Sequence, residues 1–561
     1  MPPRLILPAL VLALALPIEA APPARILSTS FLGGPGADTL RHAAFDPDGS
    51  AWVVGHGDTA TANAPALPFA GDAASSYGCS FVAQLTPDLR KVIVMAWAPK
   101  GGVEITTVLP TRDAIYLAGY ASATMEPLAV QCGGAVREAT RGQKGLALFT
   151  PAEHYTHPQF DTSKDERGTP FVARLSRDLA RVEGFTFLEG WQTRWHVPKP
   201  LVEDWTQKTL LARMPDGDIV AVHDGGYNRL PEPGGSTALE HFYHSPDHAS
   251  RLSPDLTTRR WMTAISMNPV EPAAAGNYLR AEVKGHAMTV WKPDDTAAPW
   301  PWASLGNTHA LDLATDASGN VIVAGYSSSR TSQEPWWAPF LVMVGPDGTL
   351  TPTAFAVNPM SGDGGRLNGL VSDSAIAAVA VAPDRSILFS GIADGGNTLL
   401  RQHPLDYSRP TGPIHGRPYG FRGRLLFWGL VGRIDPKSRD LTGGDYVFGM
   451  VQNRIQPAWV TSLQSLPGNH TVAVGRNGEA FGDKPDSGAA GPGSFLRIYR
   501  PDFKVHFSAG FPQTRLIHVA VHGRRGLAVG DTSFADAAVS NASQPRMAGA
   551  SDGYIVAIEF P

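Results

Sequence analysis

The chain has 561 residues, with 47 Lys+Arg against 51 Asp+Glu and a formal charge of −4. Its 59 Gly and 48 Pro exceed ordinary usage without reaching the share that marks disorder, and 43% hydrophobic residues can fill a sizeable core. A collagen, a helical bundle and a disordered chain are excluded, and the near-neutral balance argues against nucleic acid as the main partner.

In chain order the first element is an export signal, Met1–Ala21. Arg4 is the basic start, Leu5–Leu16 the apolar run, and Ala20 and Ala21 the small residues of a cleavage site. The run is short of the ~20 residues that span a bilayer. Ile18 fits a cleavage site imperfectly, so an uncleaved anchor stays open. No Cys follows the run to carry a lipid, and no later stretch is long enough to span. Residues 22–561 are therefore expected to be one secreted or periplasmic domain with no membrane span after signal cleavage. Two cysteines remain, Cys79 and Cys132. Export permits a disulfide between them, and two buried thiols are the alternative.

A repeat then organises the rest. A strand reaches a tight Asp/Gly turn, and a second apolar strand follows, usually ending in Gly. After a variable insertion come a third strand, a Pro-Asp turn and a fourth strand. First halves occupy 39–57, 103–121, 208–226, 308–327, 374–393, 459–477 and 515–533. Second halves begin at Ser80, Phe171, Ala249, Phe340, Gly429, Ser494 and Gly553. The last lacks a fourth strand, which the strand at 24–34 can supply. Four-stranded sheets that stack around an axis bury both faces, and closure protects the last edge. The expectation is an all-β, single seven-bladed β-propeller closed by its N-terminal strand. An open β-solenoid or two sandwich domains are the alternatives.

The residues Phe31-Leu32-Gly33-Gly34-Pro35-Gly36-Ala37-Asp38, Asp46-Pro47-Asp48-Gly49, Trp52-Val53-Val54-Gly55, Leu67-Pro68 and Phe81-Val82-Ala83 resemble an SBBP-type β-propeller repeat. Residues 316–326 are a second good copy, and the other five are degenerate. The resemblance implies a propeller in a bacterial exported protein and carries no shared catalytic motif.

Residues 22–561 shared among seven units leave about 77 each, where a blade needs only ~40–50. The surplus joins second to third strands at 58–79, 122–170, 227–248, 394–427 and 534–552, and joins blades at 189–207 and 268–307. In a meander these connections share one end, so that rim is the expected working face. Within 268–307, Leu279–Val283 and His286–Trp291 flank a tight turn and predict an extra hairpin.

Two His clusters lie in these insertions: His154 and His157 beside Glu153, and His241, His244 and His248 beside Glu240 and Asp247, with His223-Asp224 just before. Imidazole and carboxylate suit Zn or Cu, and solvated loop histidines are the alternative. Trp191, Trp195, Trp205, Trp300, Trp302, Trp336 and Trp337 flank blades three and four. With Asp224 they could face a sugar or a protein partner, or else pack over the blade tops. The Asp-rich turns at 46–49 and 316–320 lack the remaining ligands of a calcium loop and read as turn chemistry. No nucleophile elbow, zincin helix, P-loop or haem motif occurs. The expected function is a non-enzymatic exported propeller that binds a polysaccharide or protein through the loops of one face. The alternative is a metal-assisted or acid–base enzyme in the central funnel of that face.

Overall fold

The structure, a computed structural model, describes residues 24–57, 65–69, 79–98, 103–122, 167–188, 192–193, 208–223, 227–228, 243–244, 247–265, 280–284, 287–291, 297–299, 307–328, 337–355, 373–394, 399–415, 427–451, 454–478, 485–489 and 491–560. These residues are all-β, in a propeller arrangement of small antiparallel sheets. Among them no helix is long and apolar enough to cross a membrane.

Strand β1 (Arg25–Leu32) precedes a sheet of β2 (Asp38–Phe45), β3 (Ala51–Gly57), β4 (Cys79–Leu85) and β5 (Val92–Trp97). The second sheet holds β6 (Val103–Pro110), β7 (Ile115–Ser122), β8 (Arg167–Leu175) and β9 (Val182–Phe187), with Gln192–Thr193 added beside β8. The third holds β10 (Leu210–Arg213), β11 (Ile219–His223), β12 (His248–Leu252) and β13 (Arg259–Ala264). The fourth holds β14 (Asn307–Thr315), β15 (Val321–Ser328), β16 (Trp337–Val344) and β17 (Leu350–Ala354).

A ten-stranded sheet follows. Its main strands are β18 (Ser374–Val381), β19 (Ile387–Ala393), β20 (Trp428–Ile434), β21 (Leu441–Val447), β22 (Ala458–Leu466), β23 (His470–Asn477), β24 (Gly493–Tyr499) and β25 (Val505–Pro512). The last sheet is β26 (Thr514–His522), β27 (Arg525–Thr532) and β28 (Asp552–Glu559), completed by β1, whose Arg25 pairs with Glu559 and Leu32 with Gly553. The N-terminal strand is thus the fourth strand that the last unit lacks.

The expected seven separate blades are corrected by this hydrogen bonding. Five discrete sheets of four or five strands form, not seven. The strands of the other two expected units are fused, because Trp428 bridges Ala458 in parallel and joins β20 to β22. The extra hairpin forms as Arg280–Lys284 against Ala287–Trp291, one residue later than expected, and Ala297–Pro299 adds a third strand.

Second strands are apolar runs such as Val321-Ile322-Val323-Ala324 because both of their faces are covered. The core lies between sheets. Trp52 and Val54 meet Ile105 and Phe171, for example, and Leu527 and Ile555 of the last sheet meet Leu40 and Val53 of the first. The first strands pack in order, β2, β6, β10, β14, β18, β22, β26 and back to β2, so they surround a central channel.

One device recurs on those first strands. A bulge interrupts the register after Leu40, Ile105, Ala310, Ile376, Val460 and Leu516. Opposite each stands a glycine: Gly55, Gly119, Gly325, Gly391, Gly475 and Gly530. The bulge pushes a first-strand carbonyl into the space a side chain would fill. A Cβ on Gly119 would lie 1.8 Å from the Glu104 oxygen, and one on Gly530 1.7 Å from that of Arg515. The third sheet has Val222 at this place, and β10 pairs without a shift.

Third-to-fourth turns are equally regular. Leu89, Leu179 and Leu256 have φ of 60° and Phe503 has φ of 61°, yet all four are buried. A left-handed non-glycine residue costs roughly 1–2 kcal/mol, and burying a large apolar side chain returns about 1.5–3 kcal/mol. The preceding Asp88, Asp178 and Asp255 accept hydrogen bonds from the side chains of Thr86, Ser176 and Ser253 and tie each turn.

Described parts of the connections between second and third strands return along outer sheet edges. Residues 65–67 bond to Trp97 on β5, with Leu67 N–H to the Trp97 oxygen at 2.8 Å. Ile414–His415 add in parallel to β21, and Ser487–Gly488 to β25. Thr29 of β1 exchanges backbone bonds of 2.9 and 3.1 Å with Ser540. An outer strand left bare would template pairing with another chain, and these segments remove that template.

Replacing Gly475 by Ala is expected to lower stability by about 1–3 kcal/mol, because the built Cβ meets both the Trp459 oxygen and the Phe495 ring. Urea denaturation of both proteins measures it, and a loss below ~0.5 kcal/mol would sink the account of the bulge.

Candidate functional site

The first strands are sheet edges, so their channel-side N–H groups have no strand partner. The residue after the bulge in one strand supplies the acceptor for the next. His518 Nδ1 accepts from Ala43 N–H at 3.3 Å, and His42 Nδ1 from Val108 N–H at 3.5 Å. Asp312 Oδ2 accepts from Val379 N–H at 2.9 Å, and Ser462 Oγ from Val519 N–H at 3.2 Å. Thr107 stands in the same place and donates instead, to the Thr209 oxygen at 2.6 Å. These contacts cross from sheet to sheet and fix the wall of the channel.

Three of these residues titrate, and they gather with Lys208. The His42 and His518 rings lie 4.1 Å apart between centroids, tilted by 34°. His42, His518, Asp312 and Lys208 each keep part of their surface open to the channel while protein encloses them on the other sides. Burial pulls His42 down to about 3, aided by the charge of Lys208. Burial also drives His518 well below its ordinary value, with His42 and Lys208 adding to the effect. Asp312 is pushed up to about 6 by burial, against the opposing pull of the Val379 hydrogen bond, the Lys208 charge and the Leu313 hydrogen bond. Nearby, Arg41 on β2 and Glu104 on β6 form an ion pair at 3.4 Å. The channel wall thus holds two neutral imidazoles, a cation and a carboxyl that titrates near neutrality.

The residues singled out from sequence fall elsewhere. His223 and His248 face each other across β11 and β12, buried, with ring centroids 5.5 Å apart. His244 lies in the two-residue strand Tyr243–His244 that pairs with Tyr227–Asn228. Among the described residues no group of three or more His, Cys, Asp or Glu is placed to hold a metal. Trp337 opens β16, partly exposed, 5.2 Å from the Tyr326 ring, which stacks on His309 at 4.8 Å. That aromatic ladder runs from the channel strand outward, at the end where β16 begins. Cys79 is buried at the head of β4. The signal Met1–Ala21, Cys132, His154, His157, Trp191, Trp195, Trp205, Asp224, His241, Trp300, Trp302 and Trp336 lie outside the described residues.

The sequence pattern did contain the channel cluster. His42, Thr107, Asp312, Ser462 and His518 occupy one column of the repeat, paired one residue past the bulge. Reading the repeat for turns and glycines passes over that column.

No protein-family model matches the chain, and no curated protein matches it. Among solved structures, the chain is similar over 96% of its length to a protein of unknown function from Dyadobacter fermentans, at 8% identity, covering 100% of that chain with a TM-score of 0.34. It is similar over 95% of its length to quinohemoprotein alcohol dehydrogenase from Comamonas testosteroni, at 9% identity, 76% of that chain and a TM-score of 0.35. An ulvan lyase matches over 94%, at 9% identity, 96% of that chain and a TM-score of 0.39. Similarity at this level says nothing of activity.

The cluster makes stability depend on pH in a defined direction. His42 and His518 have folded values below their unfolded ~6.5, so unfolding takes up protons as the solution turns acid. Their contribution is intact above that value and is lost as pH falls from ~6.5 toward 3. Asp312 acts oppositely, because its folded value of about 6 exceeds the unfolded ~3.9. Its contribution is intact below ~3.9 and is lost as pH rises through 6. The urea midpoint of the double variant His42→Ser, His518→Ser should therefore fall less between pH 6.5 and 4 than that of the unaltered chain. Parallel curves would refute the enclosure of these rings.

Proposed function

We propose that the protein is an exported, seven-bladed β-propeller of degenerate SBBP-type repeats that binds a polysaccharide without chemically altering it. The seven-fold count treats the ten-stranded sheet as two blades that share one bridge. Its support is the apolar layer between the two halves, where Leu388 and Val431 meet Val460, Ala473 and Phe495 as neighbouring sheets meet elsewhere. Export and release into the periplasm or medium rest on the signal Met1–Ala21.

The observation that carries binding is the ladder of His309, Tyr326 and Trp337. Tyr326 is buried and backs the partly exposed Trp337, whose ring can meet the apolar face of a sugar. It lies where second-to-third and blade-to-blade connections emerge, whereas the opposite end carries tight turns such as Asp46–Ser50 and Asp316–Asn320.

Affinity electrophoresis against polysaccharides tests this. The unaltered protein should be retarded, and Trp337→Ala should weaken retardation by about five- to tenfold, in line with ~1 kcal/mol for one aromatic contact. Capture of an exported protein without any polysaccharide retardation, or full retention by the variant, would overturn the reading.

A second reading is favoured by Asp312, whose carboxyl titrates near neutrality on the channel wall. In it the channel is an acid–base active site, and the retained polysaccharide is cleaved. Asp312→Asn should then abolish product formation and leave retardation intact. A metal-assisted form of that reading would draw its Zn or Cu ligands from His223, His241, His244, His248, His154 and His157, and elemental analysis of the purified protein decides it.

A further inference from the structure

We propose that His470 and His506 form a two-imidazole site for a divalent late transition ion, Cu(II) most strongly. The site lies at the end that carries the tight turns, opposite Trp337. His470 follows the turn Pro467–Asn469 between β22 and β23, and His506 follows the turn 500–504 between β24 and β25. Their ring centroids stand 5.9 Å apart, with the rings inclined by 60°. With metal–nitrogen bonds of about 2.0–2.1 Å, two rings that share one ion have centroids at most ~6.4 Å apart. The pair already stands within that span. His470 is partly exposed and His506 exposed, so an ion in solution reaches both.

The turn fixes which nitrogen of His470 is offered. Its Nδ1 lies 3.3 Å from the Pro467 oxygen. A carbonyl oxygen only accepts, so Nδ1 carries the proton and Nε2 keeps its lone pair. Metal-binding histidines are held in this way, with the second ring N–H given to a backbone carbonyl and the basicity of the free nitrogen raised. Gly468 has φ of 69°, and a Cβ there would lie 3.4 Å from Nδ1, so the turn runs close along that ring edge. Arg433 Nη2 donates to the Asn469 oxygen at 2.6 Å and pins the turn. The His470 ring is thereby oriented before any ion arrives.

Among the described residues no hydrogen bond occupies either ring nitrogen of His506. Asp486 brings negative charge to the same strand. Its Oδ2 accepts from Ser508 N–H at 2.8 Å, two residues along β25 from His506. Arg500 opposes an arriving cation, and Asp486 offsets it. Lys504 of the same turn is paired with Asp502 at 3.3 Å. The closer pair in the channel, His42 and His518, offers no such lone pairs, because each Nδ1 there accepts a backbone N–H and each Nε2 carries the proton. Among the described residues no group of three His, Cys, Asp or Glu is placed to hold an ion. The site therefore has two protein ligands and water in its remaining positions. Imidazole suits Ni, Zn and Cu, and the general order of affinity puts Cu(II) first.

This site stands apart from the polysaccharide reading and from the histidines of its metal-assisted form, and it can fail separately from both. Titration of the full chain at pH 7 with copper(II) sulfate, read by calorimetry and by electron paramagnetic resonance, tests it. A saturable site with a dissociation constant of about 10 µM is expected, with nitrogen hyperfine structure from two imidazoles. His470→Gln and His506→Gln each remove one ligand, so each should weaken that site at least about tenfold. His506 is exposed and makes no hydrogen bond through its ring, so its variant keeps the test open if the His470 variant does not fold. The absence of saturable copper binding would overturn the proposal. So would copper held with unchanged affinity by either folded variant, because that copper sits on other histidines.

Discussion

The approach of a bulged first strand to its glycine is the contact on which the remaining architecture depends. At Gly119, Gly325, Gly475 and Gly530 the opposing carbonyl stands where a methyl group would be. Past the bulge the strand rejoins its ladder with His42, Asp312, Ser462 or His518, and each of these caps a backbone N–H of the neighbouring sheet. The polar wall of the channel and the order of its sheets are therefore two results of one local distortion. Where the glycine is replaced, at Val222, the shift is absent and Leu210 pairs with it in plain register.

Much of this was legible in advance for a physical reason. A strand buried on both faces must be apolar, a tight turn needs Asp or Gly, and a bulge needs a residue without Cβ, so the chain spells its repeat in residues that cannot easily drift. Leu89, Leu179 and Leu256 belong to the same category, since their burial offsets their backbone strain. The closing strand could be read because one unit ended early. What the repeat did not announce were contacts between units. Whether His42 meets His518 depends on which sheets are neighbours across some 470 residues of chain, as the separation of 475 between Ala43 and His518 shows. The bridge at Trp428 that fuses two units is a single pairing with no sequence pattern of its own.

The channel cluster differs from a structural ion pair in its balance of forces. Elsewhere the wall and turns use compensated charges, as where Arg251 meets both Asp216 and Asp218. At His42, His518 and Asp312 burial is the leading cause of each shift, and at Asp312 the Lys208 charge offsets only part of it. Side chains kept uncharged by enclosure are an expensive way to cap an N–H that a serine can cap. The difference between Ser462 and its two imidazole counterparts is the residue-level ground for treating this stretch of wall as more than scaffold.

The covered outer edges carry a consequence for how such a molecule lives among its neighbours. A wheel of sheets has its least protected backbone on the circumference, and segments at 65–67, 414–415, 487–488 and 540–544 cover four of its outer strands with bonds from the same chain. In a crowded compartment, two copies that collide side-on at those four strands meet finished surfaces rather than rows of open donors and acceptors, so crowding can bring the wheels close there without stitching them together.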